Sequence, residues 1–254
     1  MATVFALREK WAKGETVFGL FASLPCAFAM EVVATKGIDY ICVDQQHGVT
    51  DYRDMIEMAR AIDARGIVPL TRVPANEDWI IGKNLDAGAQ GVIIPMVSNP
   101  EQARKAVAAC RYPPKGERSN GPARAAIVMG TRDQKALGDG VLCFPMIETR
   151  EGLDKVDEIA ATPGLDGLYI GPSDLAISLG LGPGLDRSEP EHVAAVAKIL
   201  AACQKNKIIP GIHTGSPKMA KHMAGLGFRL VTFGGDAGFL RAGAERAVAE
   251  LYGS

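Results

Sequence analysis

GVLCFPMIETREGLDKVDEIAATPGLDGLYIGPSDLA, residues 140–176, contains an apolar run over 141–147 that ends in a carboxylate, Glu148. A helix-length segment follows over 149–161, and a second apolar run over 167–170 ends in Gly171-Pro172-Ser173-Asp174. In a strand–helix–strand unit the two strands are parallel neighbours and end on the same side of the sheet. This stretch therefore sets Glu148 beside Asp174 at one rim. Two carboxylates brought together there either repel each other or share a hard cation such as Mg²⁺ or Mn²⁺.

Outward from this unit, six further apolar, β-branched runs repeat the pattern, at 17–22, 40–43, 67–73, 91–97, 208–212 and 230–233. Their hydrophobicity is continuous, as suits strands buried on both faces of a parallel sheet. Amphipathic helices are expected between them, among them 51–65, 101–111 and 191–205. Lys36-Gly37, Arg65-Gly66 and Ala87-Gly88 read as helix ends with a glycine stop. Eight β–α alternations in 254 residues predict a single (β/α)8 TIM barrel over residues 1–254. A doubly wound sheet would want a GxGxxG turn after the first strand, and Ala22-Ser23-Leu24-Pro25-Cys26 is not one.

A formal charge of −1 gives no electrostatic case for nucleic acid or an anionic membrane. No apolar stretch approaches the roughly 20 residues of a membrane span, and residues 1–15 lack a signal-peptide core, so a cytoplasmic protein is expected. The five cysteines are scattered with no CxxC pair, and several fall inside apolar runs, which suits buried reduced thiols. One insertion, RYPPKGERSNGPARAAIVMGTR at 111–132, is a lid or subunit contact offering Arg118 or Arg124 to an anion, or else a solvated basic loop.

Barrel chemistry sits at the C-terminal strand ends. There the runs end in Asp44-Gln45-Gln46-His47-Gly48, Thr71-Arg72, Pro95-Met96, Glu148, Asp174, His213-Thr214-Gly215-Ser216 and Gly234-Gly235-Asp236. Buried charges are costly unless paired or metal-bound, so this convergence at one mouth points to a site. Glu148 and Asp174 are candidate metal ligands, with a structural ion pair as the alternative. Asp44 lies three residues before His47, close enough to orient the imidazole as a general base or acid; otherwise it only caps the turn. Arg72 suits a developing enolate or a carboxylate, or a salt bridge to a neighbouring carboxylate. The N–H groups of the Gly171–Asp174 turn favour a substrate carboxylate. His213 is either rim filler or a substrate contact, and His192 and His222 read as surface residues. A divalent metal (Mg²⁺, Mn²⁺ or Co²⁺), an imidazole, an arginine and an anion-binding turn suit enolate chemistry on a 2-oxo acid. The Schiff-base alternative wants a lysine inside the barrel, and every lysine falls in a helix, a loop or near the lower rim.

The sequence resembles the HpcH/HpaI aldolases, class II metal-dependent pyruvate aldolases. The resemblance runs through VDQQHG (43–48), TRVPAN (71–76), GAQGVIIPMVSNPEQARKAV (88–107), RYPPKGER (111–118), MIETREGL (146–153) and GLYIGPSDLA (167–176). It implies a (β/α)8 barrel whose last helix, expected at 237–251, is exchanged between subunits, and hexamers built as trimers of dimers. It implies one divalent metal ion per subunit on Glu148 and Asp174, catalysis by His47 with Asp44 as partner, and the pyruvyl oxygen held by Arg72. The substrate carboxylate falls at Gly171, Ser173 and Asp174. Gln46 stands where many members carry an acidic residue, Met146 where many carry glutamine, and GIHTGS (211–216) is more polar than usual. The expected reaction is reversible cleavage of a 4-hydroxy-2-oxo acid to pyruvate, or a close analogue, and an aldehyde. The alternatives are a CoA-thioester lyase of the citramalyl or malyl type, a phosphosugar isomerase and a non-catalytic metal-binding barrel.

Overall fold

Eight parallel strands close on themselves in chain order, β1 (Val17–Ala22), β2 (Tyr40–Asp44), β3 (Val68–Arg72), β4 (Gly91–Ile94), β5 (Leu142–Ile147), β6 (Gly167–Ile170), β7 (Ile209–His213) and β8 (Leu230–Gly235). The computed structural model describes residues 3–253; Met1, Ala2 and Ser254 of the expected domain lie outside the described residues. The (β/α)8 barrel expected from the alternating runs is therefore present, with β1 and β6 as expected and the other strand ends displaced by at most three residues.

Helices surround the strands. Tyr52–Ala64 starts one residue later than expected because Asp51 caps it, accepting the N–H groups of Arg53 and Asp54, while Asp54 returns the contact to complete a capping box. The segment at 149–161 divides into two short helices, Arg150–Asp154 and Val156–Ala160. The 111–132 insertion is not structureless, since it contains the short helix Ala125–Met129.

Apolar packing forms two layers. Inside the barrel, Val17, Tyr40, Val68, Leu142, Phe144, Tyr169 and Leu230 meet Val4 and Leu7 from an N-terminal helix, Val4–Ala12, that plugs the lower end. Trp11 ties that helix down by donating to the Arg229 carbonyl at 2.8 Å. Outside, the strands meet the helices in larger clusters, such as Ile147, Ile170 and Ile212 against Ala195, Val196 and Ile199.

The last helix, Asp236–Tyr252, departs from this plan. Only Asp236 is buried, and Leu240, Val248 and Leu251 are 68%, 54% and 73% exposed. Its apolar residues are thus not buried in their own barrel.

Candidate active site

At the C-terminal mouth a cavity of about 290 Å³ is lined by Phe21, His47, Arg72, Met146, Glu148, Tyr169, Gly171, Pro172, Ser173, Asp174, Leu185 and His213. It brings together every expected site residue except Asp44, which stands directly behind Arg72.

The first wall comes from β2 and β3, which pair with Asp44 opposite Arg72. The carboxylate of Asp44 takes the Arg72 guanidinium bidentately, Nε to Oδ1 at 2.8 Å and Nη2 to Oδ2 at 2.7 Å. Asp44 Oδ1 also accepts the backbone N–H groups of Gln46 (3.1 Å) and His47 (3.3 Å), closing the turn that presents His47. Gly48 is required in that turn, because a Cβ there would lie 2.2 Å from the Asp44 carbonyl oxygen. The expectation that Asp44 orients the His47 imidazole is corrected: both carboxylate oxygens serve the guanidinium fork, which offers two charge-assisted bonds in register. Burial would raise the Asp44 pKa, but the Arg72 guanidinium and the turn N–H groups outweigh it and hold the carboxyl below its ordinary value. Arg72 keeps Nη1 free of protein hydrogen bonds among the described residues and lies over the Phe21 ring, 5.1 Å from its centroid.

The second wall comes from β5 and β6. Ile147 pairs with Ile170, so the next residues, Glu148 and Gly171, meet at the rim. Glu148 is 2% exposed, and its Oε1 accepts the Met96 N–H at 2.7 Å. Met96 holds φ at +59° in presenting that N–H, an uncommon conformation for a non-glycine residue. Burial, and then the nearby Asp174 charge, push the Glu148 pKa up to about 7 despite the Met96 N–H and Arg72. None of the ion pairs among the described residues includes Glu148 or Asp174, so the structural ion pair is absent. No cluster of three or more potential metal-ligating side chains occurs among the described residues. These two carboxylates fit a hard divalent cation with its other positions open to water and substrate oxygens.

Of the floor and far wall, only His213 was legible as functional. Phe21 stacks on Tyr169, with centroids 6.1 Å apart and planes at 20°, and Tyr169 and Tyr40 both share the Thr232 hydroxyl, at 2.6 and 2.8 Å. His213 meets Phe21 edge-on at 4.7 Å. Burial and then the Arg72 charge push its pKa down to about 4, so its ring is neutral at pH 7. Phe21 and Tyr169 lie in apolar runs and look like core; only the two-residue period of their strands could have turned them toward the lumen. Leu185 enters from a loop held over β7 by Asp186, which accepts the Gly215 N–H and the Ser216 hydroxyl.

Two other expectations change. Arg118 and Arg124 are not at this mouth; they pair with Asp86 and Asp63 beside a separate hollow of about 550 Å³. His192 is 3% exposed rather than on the surface, because it faces inward from its helix, whereas His222 is exposed as expected. Among the described residues, no lysine lines the mouth.

A family model described as HpcH/HpaI aldolase/citrate lyase matches residues 17–242. The chain is similar to a hydroxypyruvate/pyruvate aldolase of Rhizorhabdus wittichii, 35% identical over 244 residues, covering 96% of this chain and 97% of that one. It is 34% identical over 238 residues to a 5-keto-4-deoxy-D-glucarate aldolase of Escherichia fergusonii, covering 92% of each. A crystal structure of an HpcH/HpaI aldolase/citrate lyase family protein from Burkholderia cenocepacia J2315 is similar with a TM-score of 0.88 at 34% identity, over 97% of this chain and 99% of that one.

Proposed function

The chain belongs to the HpcH/HpaI aldolase/citrate lyase family, and from that premise we propose that it is a divalent-metal-dependent aldolase. Its substrates are 4-hydroxy-2-oxo acids, cleaved reversibly to pyruvate or a close 2-oxo analogue and an aldehyde. The observation that carries this reading is the pairing of Glu148 with Asp174 at the barrel mouth, neither joined in an ion pair among the described residues. A divalent cation held there would supply Lewis-acid polarisation of the 2-oxo group.

The chain's own groups then divide the work. The backbone N–H groups of Ser173 and Asp174 make no hydrogen bonds among the described residues and would receive the substrate carboxylate. Arg72, locked by Asp44, turns its free Nη1 toward the 2-oxo oxygen and stabilises the charge that develops as the enolate forms. His47 is exposed at the mouth, and its imidazole would take the proton from the 4-hydroxyl in cleavage and return it in synthesis. Tyr169, Phe21 and Met146 close the floor against water. The exposed apolar residues of the last helix support a homo-oligomer in which a second copy covers them.

Pyruvate methyl-proton exchange in D₂O, followed by NMR on metal-stripped protein with and without Mn²⁺, tests this reading without knowledge of the aldehyde. Metal-dependent exchange that disappears in Glu148→Ala is expected. Absence of exchange with every divalent metal would overturn pyruvate as the donor.

A further inference from the structure

His192 has no role in the reading above, yet it reaches the back of the same site. The helix Pro190–Asn206 turns Ala195, Val196 and Ile199 into the apolar layer beneath it, and His192 is a polar ring on that same face. Its Nε2 lies 3.1 Å from the carbonyl oxygen of Pro172. A carbonyl only accepts, so Nε2 carries the hydrogen and donates it.

The segment it grips, the first turn of the helix Pro172–Ser178, has few side-chain anchors. Gly171 has no side chain, Pro172 has no N–H, and the side chains of Ser173 and Asp174 make no hydrogen bonds among the described residues. Among the described residues, the His192–Pro172 contact is the one side-chain hydrogen bond that reaches residues 171–174. On the opposite side the turn abuts Glu148 so closely that a Cβ on Gly171 would lie 2.2 Å from Oε2. The turn is thus held between Glu148 in the cavity and His192 behind it.

We propose that His192 is a positioning residue, whose Nε2–H fixes the Gly171–Asp174 turn so that Asp174 and the Ser173 N–H stand in register with Glu148. The inference rests on the metal-dependent aldolase reading and adds a residue to it. Partners that orient metal-ligating groups typically change metal affinity by about 10–100-fold when removed. A polar ring on a buried apolar helix face is otherwise unfavourable.

Calorimetric titration of Mn²⁺ into metal-stripped protein tests the proposal without turnover, alongside the pyruvate KM and kcat from the exchange assay. His192→Leu is expected to weaken Mn²⁺ binding about tenfold or more and to raise KM more than it lowers kcat. His192→Gln, whose amide nitrogen reaches the Nε2 position, is expected to recover most of the affinity. A folded His192→Leu that binds Mn²⁺ as the wild type does would overturn the proposal, as would a His192→Gln no better than His192→Leu. Should His192→Leu fail to fold, His192→Asn, equally polar but one methylene short, replaces it. Weak binding by Asn beside tight binding by Gln then supports the proposal, and equal affinities overturn it. Wild-type protein that binds no Mn²⁺ would overturn the metal reading itself, a result distinct from variants that merely match a binding wild type.

Discussion

Asp44 holds Arg72 by a two-pronged contact across β2 and β3 and leaves the His47 imidazole outside the pair. The pair is nearly buried, with side-chain exposures of 7% and 11%. Removing one partner of such a pair costs about 3–5 kcal/mol because it strands a buried charge. Asp44→Asn is therefore expected to lower the melting temperature and to slow pyruvate exchange to the level of an Arg72 variant. The pH dependence has a definite sign. The Asp44 pKa is lowered on folding, so its stabilisation is complete above the unfolded value near 4 and is lost as pH falls through the folded value. Thermal melts between pH 2 and 7 should show an acid-side loss in the wild type that is diminished in Asp44→Asn.

His47 makes the opposite prediction. Its ring is exposed and forms no side-chain hydrogen bond among the described residues. His47→Ala should change unfolding free energy by no more than about 0.5 kcal/mol. If the imidazole transfers the proton, the same variant should slow retro-aldol turnover by about 10²–10⁴-fold. Equal turnover in His47→Ala and wild type would assign the proton to another group.

Positions set by strand ends were legible in the sequence, and positions set by side-chain reach were not. Continuous apolar runs located all eight strands, and polar residues at their C-terminal ends located the rim, because a parallel barrel aligns those ends geometrically. Glu148 and Asp174 emerged as neighbours from the strand–helix–strand rule alone. The partner of Asp44 did not, since sequence proximity favoured His47 while β-sheet register favoured Arg72, 28 residues away. His192 fell in a helix with mixed polarity and looked solvated; only its phase with Ala195, Val196 and Ile199 shows that it faces inward. The ion pairs of Arg118 with Asp86 and of Arg124 with Asp63 were not legible either, because both aspartates are distant in sequence.

Glu148 predicts a second pH dependence with the reverse sign. Its pKa rises from an ordinary carboxylate value to about 7 in the folded, metal-free chain. The native state then binds more protons than the unfolded state between those two values, so stability falls as pH rises through that window. The loss is on the order of 3 kcal/mol, since each tenfold change in an ionisation constant is worth about 1.36 kcal/mol. Melts of metal-stripped protein from pH 4.5 to 8 should show this decline, and Glu148→Gln should flatten it. Because the ligand must be deprotonated, Mn²⁺ affinity should tighten up to about tenfold per unit below pH 7 and level off above it. An affinity that does not change from pH 6 to 8 would exclude Glu148 as the titrating ligand.

Gly171 tests whether the spacing between the carboxylates matters beyond their presence. Its φ of −91° is open to any residue, so Gly171→Ala carries no backbone penalty and acts through space alone. The added Cβ would lie 2.2 Å from Glu148 Oε2, 2.8 Å from Met146 Cε and 3.2 Å from Glu148 Cβ. The Met146 terminus can rotate away, but the carboxylate is tethered by the Met96 N–H. Either that tether breaks or the turn retreats, and both moves separate Glu148 from Asp174. Overpacking of this kind costs about 1–3 kcal/mol, whereas loss of ligand register should weaken Mn²⁺ binding at least about tenfold. Gly182→Ala is the matched control, because a Cβ there meets nothing within 4 Å. A Gly171→Ala protein that binds Mn²⁺ as tightly as Gly182→Ala would show that the two carboxylates need only be near each other, and that the tight turn serves packing.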